Sequence, residues 1–207
     1  MHADLSLVYP LSRGIGTILV PILGITFLDE KITMVTLIGI VTIVAGIFIV
    51  YWWGQVSKIA IDPSAFFKNP SIYYAILTGC AIAGYSVWDK LGIKYVNPLL
   101  YMYLLALGTA IGLTPYMLLK HSMKSVGKEL KFNFLGITVA AMLAFAAYAI
   151  VLSALQISQA SYVSPIREVG IVFSVLLGVT FLKEPLDSGR LMGSLFIISG
   201  VLTVGIS

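Results

Sequence analysis

Long apolar runs constrain this chain more than any other feature of its sequence. A helix needs about 20 mainly apolar residues to cross the hydrocarbon core of a bilayer. Segments close to that length lie at residues 6–28, 33–53, 71–88, 98–119, 134–155, 161–182 and 191–206. Lipid offers the backbone no hydrogen-bond partner, and the runs lack the alternating pattern of barrel strands. With 59% hydrophobic and 11% charged residues, the sequence predicts an all-α membrane protein of about seven transmembrane helices.

The chain also contains an internal repeat. The stretch GITFLDE at residues 24–30 recurs as GVTFLKE at residues 178–184, at a shift of 154 positions. The same shift pairs Arg13 with Arg167, Gly16 with Gly170, Leu37 with Leu191, Gly39 with Gly193, Ile43 with Ile197 and Gly46 with Gly200. The first two predicted helices therefore correspond to the last two, and the third to seventh helices make up one complete five-helix unit.

An odd number of helices in the repeated unit has a consequence for topology. Consecutive five-helix copies enter the membrane from opposite sides, which is the inverted-topology repeat of many transporters. We interpret residues 1–54 as the last two helices of a first repeat, residues 55–70 as an inter-repeat loop and residues 71–207 as the complete second repeat. On this interpretation the chain is the N-terminally shortened remnant of a ten-helix, five-plus-five bundle.

The ends of both copies resemble a known transporter family. The stretch SPIREVGIVFSVLLGVTFLKEPLDSGRLMGSLFIISGVLTVGI at residues 164–206 is similar to the closing two helices of EamA-type transporters, in the drug/metabolite transporter superfamily. Residues 9–30, followed by Gly39 and Gly46, resemble the same ending of the first half. GYSVWDKLGIKYVNP at residues 84–98 is similar to that family's turn between the first two helices of a half. The resemblance implies a multi-pass, secondary active transporter of small metabolites in the cell membrane, that is, the plasma membrane.

Arg13 and Arg167 are the candidate binding residues that the repeat singles out. Each lies inside an apolar run, where an ionisable side chain costs about 2.5 kcal/mol or more unless it faces a cavity or a partner. Inverted repeats would bring the two guanidiniums to one cavity from opposite leaflets. Because a guanidinium stays charged and forks onto carboxylate or phosphate, we expect an anionic or zwitterionic, amino-acid-like solute. Efflux is the direction of transport that we expect for it. A structural arginine bonded to a carboxylate or to helix carbonyls is the alternative.

Glu168 follows Arg167 directly and is either a proton-coupling group or a structural anchor. Neighbours on a helix do not face each other, so each of these two residues needs its own partner. Tyr85, Trp88 and Tyr148 complete the set of residues that we expect to bind substrate. For each of these aromatic residues, packing in the core or in an interfacial belt is the alternative.

Acidic residues at other helix ends are interpreted as solvated caps or interfacial anchors. This applies to Glu30 and Glu184, which recur at the turn of each copy, whereas Asp89 and Lys90 at the end of the third helix are interpreted as interfacial. The lysine-rich stretch KHSMKSVGKELK at residues 120–131 is interpreted as a connection between helices. The positive-inside rule places this connection inside and the C-terminus outside, whereas the family resemblance implies a cytoplasmic C-terminus. The orientation is therefore left open.

Other classes of function find little support in the sequence. Cys80, His2 and His121 are too few to build a zinc site, and the HExxH, Gly-x-Ser-x-Gly and P-loop motifs do not occur. We therefore expect no enzyme, no cofactor and no metal. The lysines suggest no basic helix or stripe, which argues against a nucleic-acid partner.

The expected partners are a small-molecule solute and the lipid bilayer, with homo-oligomerisation left open. The alternative function is a non-transporting accessory or structural membrane subunit, or an inactive transporter fragment.

Overall fold

The computed structural model describes residues 5–53 and 70–207, with side chains from residue 8 onward in the first range. Within these ranges the chain forms helices and no strand, so the prediction of an all-α fold is confirmed. The helices are α1 (Leu5–Leu28), α2 (Met34–Trp52), α3 (Pro70–Gly92), α4 (Pro98–Lys120), α5 (Met123–Phe132), α6 (Phe134–Ile157), α7 (Ala160–Ile166), α8 (Val169–Phe181) and α9 (Ser188–Gly205). The predicted inter-repeat loop lies outside the described residues, except for Pro70, which begins α3.

Most of the predicted spans are helices long and apolar enough to cross a membrane. In the described part of the chain these are Val8–Leu28, Met34–Trp52, Pro98–Lys120, Phe134–Ile157, Ala160–Phe181 and Ser188–Gly205. The predicted segment 71–88 is helical as part of α3, but its serine, threonine, glycine and tyrosine residues make it less apolar, and it is not among the six. A count of seven spans therefore stays a prediction.

Several helices begin at residues whose side chains cap the free N–H groups of the first turn. Thr33 Oγ1 accepts from the backbone N–H of Thr36 at 3.1 Å, and Asp187 Oδ1 accepts from that of Arg190 at 2.8 Å. These two caps occupy equivalent positions of the repeat. Asn97 caps α4 in the same way, just before Pro98, whose missing N–H costs nothing at the first helical position.

The described residues form two compact units. The first contains the residues up to Trp88 together with Ser158–Ser207, and the second contains Asp89–Ile157. In the first unit α2 and α9 form the central pair, and Ile43 and Ile197 in their contact are 0% exposed.

Glycines let α2 and α9 approach closely. A Cβ atom at Gly46 would lie 2.8 Å from the carbonyl oxygen of Gly193, and one at Gly200 would lie 2.7 Å from that of Gly39. Gly39 corresponds to Gly193 in the repeat, and Gly46 corresponds to Gly200. The contact is therefore reciprocal, and the two equivalent helices run antiparallel through it. Close approach at small residues is how helices gain packing energy in a membrane.

Small residues also seat α1 in the first unit. A Cβ atom at Gly16 would lie 2.9 Å from the Ile82 side chain of α3, and one at Gly79 would lie 2.6 Å from that of Ile15. These glycines therefore let α1, the helix that carries Arg13, pack closely against α3.

The predicted single helix 161–182 is wrong in one respect, because α7 ends at Ile166 and α8 begins at Val169. Pro165 has no N–H to give to the preceding turn. The Glu168 N–H donates to the Pro165 carbonyl at 3.0 Å, three residues back, and the Ile171 N–H donates to the Glu168 carbonyl at 2.9 Å. The helix is therefore tightened at this point, a form that often marks a functional position.

The second unit contains α4, α5 and α6. The lysine-rich stretch predicted as a connection instead forms α5, with Ser122 Oγ accepting from the Lys124 N–H at 3.3 Å. Lysine and leucine favour helix, and Ser122 caps the first turn. The stretch therefore has a high helix propensity although it is charged.

Candidate functional site

An ion pair joins α1 to the junction of α7 and α8 inside the first unit. Arg13 Nη1 of α1 lies 3.3 Å from Glu168 Oε1, at the junction of α7 and α8. Glu168 is 4% exposed and Arg13 is half-buried. Both residues belong to segments that are apolar enough to cross a membrane. The structural alternative for Arg13, a bond to a carboxylate, is thus part of the observed geometry.

Three tyrosines lie around Arg13. Its Nε donates to the Tyr9 hydroxyl at 3.4 Å, and its guanidinium carbon lies 5.6 Å from the centre of the same ring. The ring of Tyr51 packs edge-on against that of Tyr9, with 5.5 Å between the ring centres. Tyr85 is close enough to Arg13 to interact with it electrostatically. The hydrogen bond and the cation–π contact together orient the guanidinium.

One oxygen of Glu168 has no donor. Oε1 accepts from Arg13, whereas Oε2 is buried and has no hydrogen-bond partner among the described residues. Thr17 lies beside the carboxylate, but its hydroxyl donates to the Arg13 carbonyl at 2.9 Å. A buried carboxylate oxygen without a donor is unfavourable. Oε2 of Glu168 can therefore accept a hydrogen bond from one further donor.

Arg167 adjoins Glu168 but forms no ion pair within the described residues. Its side chain is half-buried and interacts electrostatically with Glu168. The two repeat-related arginines thus lie within electrostatic range of one carboxylate. The cluster of Arg13, Arg167 and Glu168 has a formal net charge of +1.

The remaining predicted binding residues are distributed over both units. Tyr85 and Trp88 lie in the first unit, with 39% and 71% of their surface exposed. Tyr148 lies in the second unit, where its hydroxyl donates to Asp89. The structure therefore brings Arg13 together with Glu168 and Tyr85, and it places Tyr148 in a cluster around Asp89.

Sequence reasoning missed Tyr9, Thr17 and Tyr51. Tyr9 and Thr17 stand four residues before and after Arg13 on α1, and residues at that spacing share one face of a helix. That spacing could have identified both. Tyr51 belongs to α2, and no signal in the sequence connects it with Arg13.

The repeated turns that follow α1 and α8 have the same backbone conformation. Asp29 and Lys183, which correspond in the repeat, have φ values of 54° and 53°. In each copy the next residue, a glutamate, donates its N–H to the glycine carbonyl six positions earlier, at 3.1 and 3.2 Å. A positive φ is uncommon outside glycine. Its recurrence at equivalent positions indicates that the repeat extends to backbone geometry.

The glutamates of these two turns nevertheless have different partners. Glu30 is 7% exposed and accepts from the backbone N–H groups of Ala160 and Ser161, at 2.6 and 2.9 Å, and from the Ser161 hydroxyl. Glu184 instead pairs with Arg190 at 2.6 Å, and both side chains are partly exposed. The interpretation of Glu30 as a solvated cap is wrong, because the start of α7 covers it, and N–H groups that have no acceptor within that helix donate to its carboxylate.

Asp89 forms a polar cluster in the second unit. It is 2% exposed and accepts from the hydroxyl groups of Tyr101, at 2.9 Å, and Tyr148. Lys90 donates to the Leu155 carbonyl at 2.5 Å. Tyrosines of α4 and α6 thus bury the carboxylate of Asp89, while its interfacial position stays a prediction.

No group of three or more histidine, cysteine, aspartate or glutamate side chains that could hold a metal ion lies within the described ranges. The polar groups described in the first unit are the Arg13–Glu168 ion pair, the Arg167 guanidinium and phenolic hydroxyls.

Comparison with known proteins agrees with this architecture. The model of the EamA-like transporter family matches residues 69–206, well over half of the chain. A comparison with curated proteins finds no match. The family that the ends of both copies resemble is thereby confirmed, and the apolar helices make the chain a multi-pass membrane protein. This chain belongs to the EamA-like transporter family.

Proposed function

We propose that the chain is a secondary active transporter that exports small anionic or zwitterionic solutes across the cell membrane. The observation that carries the proposal is the cluster of Arg13, Arg167 and Glu168, which has one excess positive charge inside apolar helices. A charge in that position is expensive unless it has a partner. A carboxylate or phosphate of the solute would supply that partner.

Unused hydrogen-bonding groups support the same class of solute. Arg13 uses Nε for Tyr9 and Nη1 for Glu168, which leaves further N–H groups for a carboxylate. Oε2 of Glu168 would accept from an ammonium group. An amino-acid-like zwitterion would satisfy both, and a purely anionic solute would satisfy the first.

Alternating access between two inverted halves is the mechanism that we propose. The equivalent helices α2 and α9 run antiparallel in their contact, which supports the inversion of the two copies. Inverted copies give two conformations that exchange the roles of equivalent residues on opposite sides of the membrane.

The two repeated turns support a state that is open on one side. Glu30 holds the start of α7, whereas Glu184 lines a cavity of about 390 Å³ together with Arg190 and Tyr51. Tyr51, which lines this cavity, contacts Tyr9, and Tyr9 bonds to Arg13, so one side chain separates the cavity lining from Arg13.

Repeat symmetry then describes the opposite state. The residues that Glu30 binds, at positions 160 and 161, correspond to positions 6 and 7 at the shift of 154. In the state open to the other side, Glu184 leaves Arg190 and binds the N–H groups at positions 6 and 7, while Glu30 releases α7.

The test is solute flux in vesicles that contain the purified chain. The double variant R13Q/E168Q removes both charges of the buried pair, so its net charge is unchanged and neither partner is left alone. We expect flux of the transported carboxylate to fall by at least about tenfold, since a charge-assisted hydrogen bond contributes roughly 1.5 kcal/mol or more. K94Q, which removes an exposed lysine, serves as the control and should transport normally.

The solutes to be screened are amino acids, organic acids, phosphorylated sugars and, as a negative control, a monovalent amine. Normal carboxylate flux by folded R13Q/E168Q would remove the pair from the binding site. An absence of flux for every solute by the unmodified chain would favour the accessory or inactive alternative.

A further inference from the structure

A short basic helix joins two membrane-spanning helices. α5 is linked to α4 through His121 and Ser122, and to α6 through Asn133 alone. Both neighbours are long and apolar enough to cross the membrane. Such short links leave α5 no path away from the bilayer surface. The ten residues of α5 are therefore expected to stay close to the ends of both spanning helices.

The side chains of α5 divide between two faces. Lys124, Lys128 and Lys131 follow at spacings of four and three residues, which places them on one side of the helix. Met123 and Leu130 lie on another side, with 65% and 49% of their surface exposed. The expectation that the lysines form no basic stripe is wrong for this helix. The segment was expected to be a connection, and its lysines align on one side because it is helical.

Exposed apolar surface continues on both sides of Asn133. Phe132 is 85% exposed, Phe134 is 60% exposed and Leu135 is 76% exposed. At these exposed fractions, the other residues of α4, α5 and α6 leave most of the three side chains uncovered. The acyl boundary of the membrane is the apolar medium that can cover them.

The basic residues of this region outnumber its acidic residues. Glu129 is the only acidic residue from position 98 to position 157, and its carboxylate accepts from Asn133 Nδ2 at 2.5 Å. The lysines of α5 form no salt bridge in the described part of the chain. Their charge is therefore free to attract a phosphate group.

We propose that α5 lies in the headgroup layer and binds anionic phospholipids through Lys124, Lys128 and Lys131. Aligned lysines are attracted to the negative surface of a membrane leaflet, while the exposed apolar residues enter the acyl boundary. Anionic phospholipid gives a membrane leaflet its negative surface potential, which attracts lysines that lie next to a spanning helix.

Native mass spectrometry of the full chain tests the proposal. The protein is released from mixed micelles that contain equal amounts of phosphatidylglycerol and phosphatidylcholine, and the ratio of the two retained lipids is measured. We expect the unmodified chain to retain phosphatidylglycerol preferentially. The variant K124Q/K128Q/K131Q should lower that ratio by at least about tenfold.

The matched control is K31Q/K94Q/K183Q, which removes the same charge from exposed lysines in other connections. It should keep the preference, and circular dichroism should show native helix content for both triple variants. An unchanged preference in the α5 variant, or an equal loss in the control, would overturn the proposal. Displacement of phosphatidylglycerol by soluble glycerol phosphate would also overturn it, because the site would then bind free phosphate instead of a lipid surface.

Discussion

The carboxylate of Glu30 accepts a hydrogen bond of 2.6 Å from the backbone N–H of Ala160, at the start of α7. The equivalent glutamate, Glu184, lies in a turn of the same conformation but pairs with Arg190. Two copies of one local structure thus make different tertiary contacts. In the proposed alternation between two states, Glu30 and Glu184 would exchange these kinds of contact.

Replacing Glu30 with alanine is expected to destabilise the protein far more than the same change at Glu184. E30A leaves the N–H groups of Ala160 and Ser161 buried without an acceptor, which costs about 3 kcal/mol. E184A removes a partly exposed ion pair, for which a loss of less than about 1 kcal/mol is expected. Denaturant unfolding in micelles measures both. Equal losses would show that Glu30 contributes no more than a surface residue.

Removing Arg190 is expected to loosen the opposite turn. R190Q takes away the partner that holds Glu184, which favours the state in which Glu184 binds positions 6 and 7 and Glu30 releases α7. Hydrogen exchange at the amides of Ala160 and Ser161 should therefore become faster, while exchange at positions 6 and 7 becomes slower.

R190K, which keeps a positive charge near Glu184, is the control and should show a smaller effect. If exchange at Ala160 and Ser161 is the same in R190Q and in the unmodified chain, the two turns are not coupled and the alternation proposed for them is wrong.

Helix positions could be predicted from the sequence because they depend on local hydropathy. The predicted segment 33–53 is Met34–Trp52 in the structure, and the predicted segment 98–119 is Pro98–Lys120. The buried partners could not be predicted in the same way. Glu168 meets Arg13 only because α1 packs against α7, and the repeat offered no hint, since the residue equivalent to Glu168 is Gly14.

The burial of Glu30 could not be predicted from the sequence, for a related reason. A glutamate in a turn after an apolar helix is usually solvated, and only the packing of a distant helix start over that turn makes it buried. Gly24 leaves space for its carboxylate, because a Cβ atom there would lie 2.5 Å from Glu30 Oε2. The sequence shows the same spacing of glycine and glutamate in the two copies, but it does not show that the glycine makes space for the carboxylate.

The antiparallel contact of α2 and α9 predicts a contrast between two glycine substitutions. In G46A the new methyl group would meet the backbone carbonyl of Gly193 at 2.8 Å, and neither helix can yield without separating. We expect a loss of about 1–3 kcal/mol of stability, as for other overpacked sites. Gly112 of α4 has open space around it, so G112A should be neutral or slightly stabilising. Thermal unfolding of both variants in the same detergent decides, and similar stabilities would contradict close packing at Gly46.

The cluster around Asp89 predicts a contrast between two tyrosines of the second unit. Y148F removes one of two phenolic donors to a carboxylate that is 2% exposed, which should cost about 1.5 kcal/mol or more because the acceptor is charged. Y103F removes a hydroxyl from a side chain that is 59% exposed and should change stability by less than about 0.5 kcal/mol. In D89A the carboxylate is already absent, so adding Y148F should cost less than it does alone, which a double-mutant cycle measures directly. Additive effects of D89A and Y148F would mean that the two side chains do not interact in the folded protein.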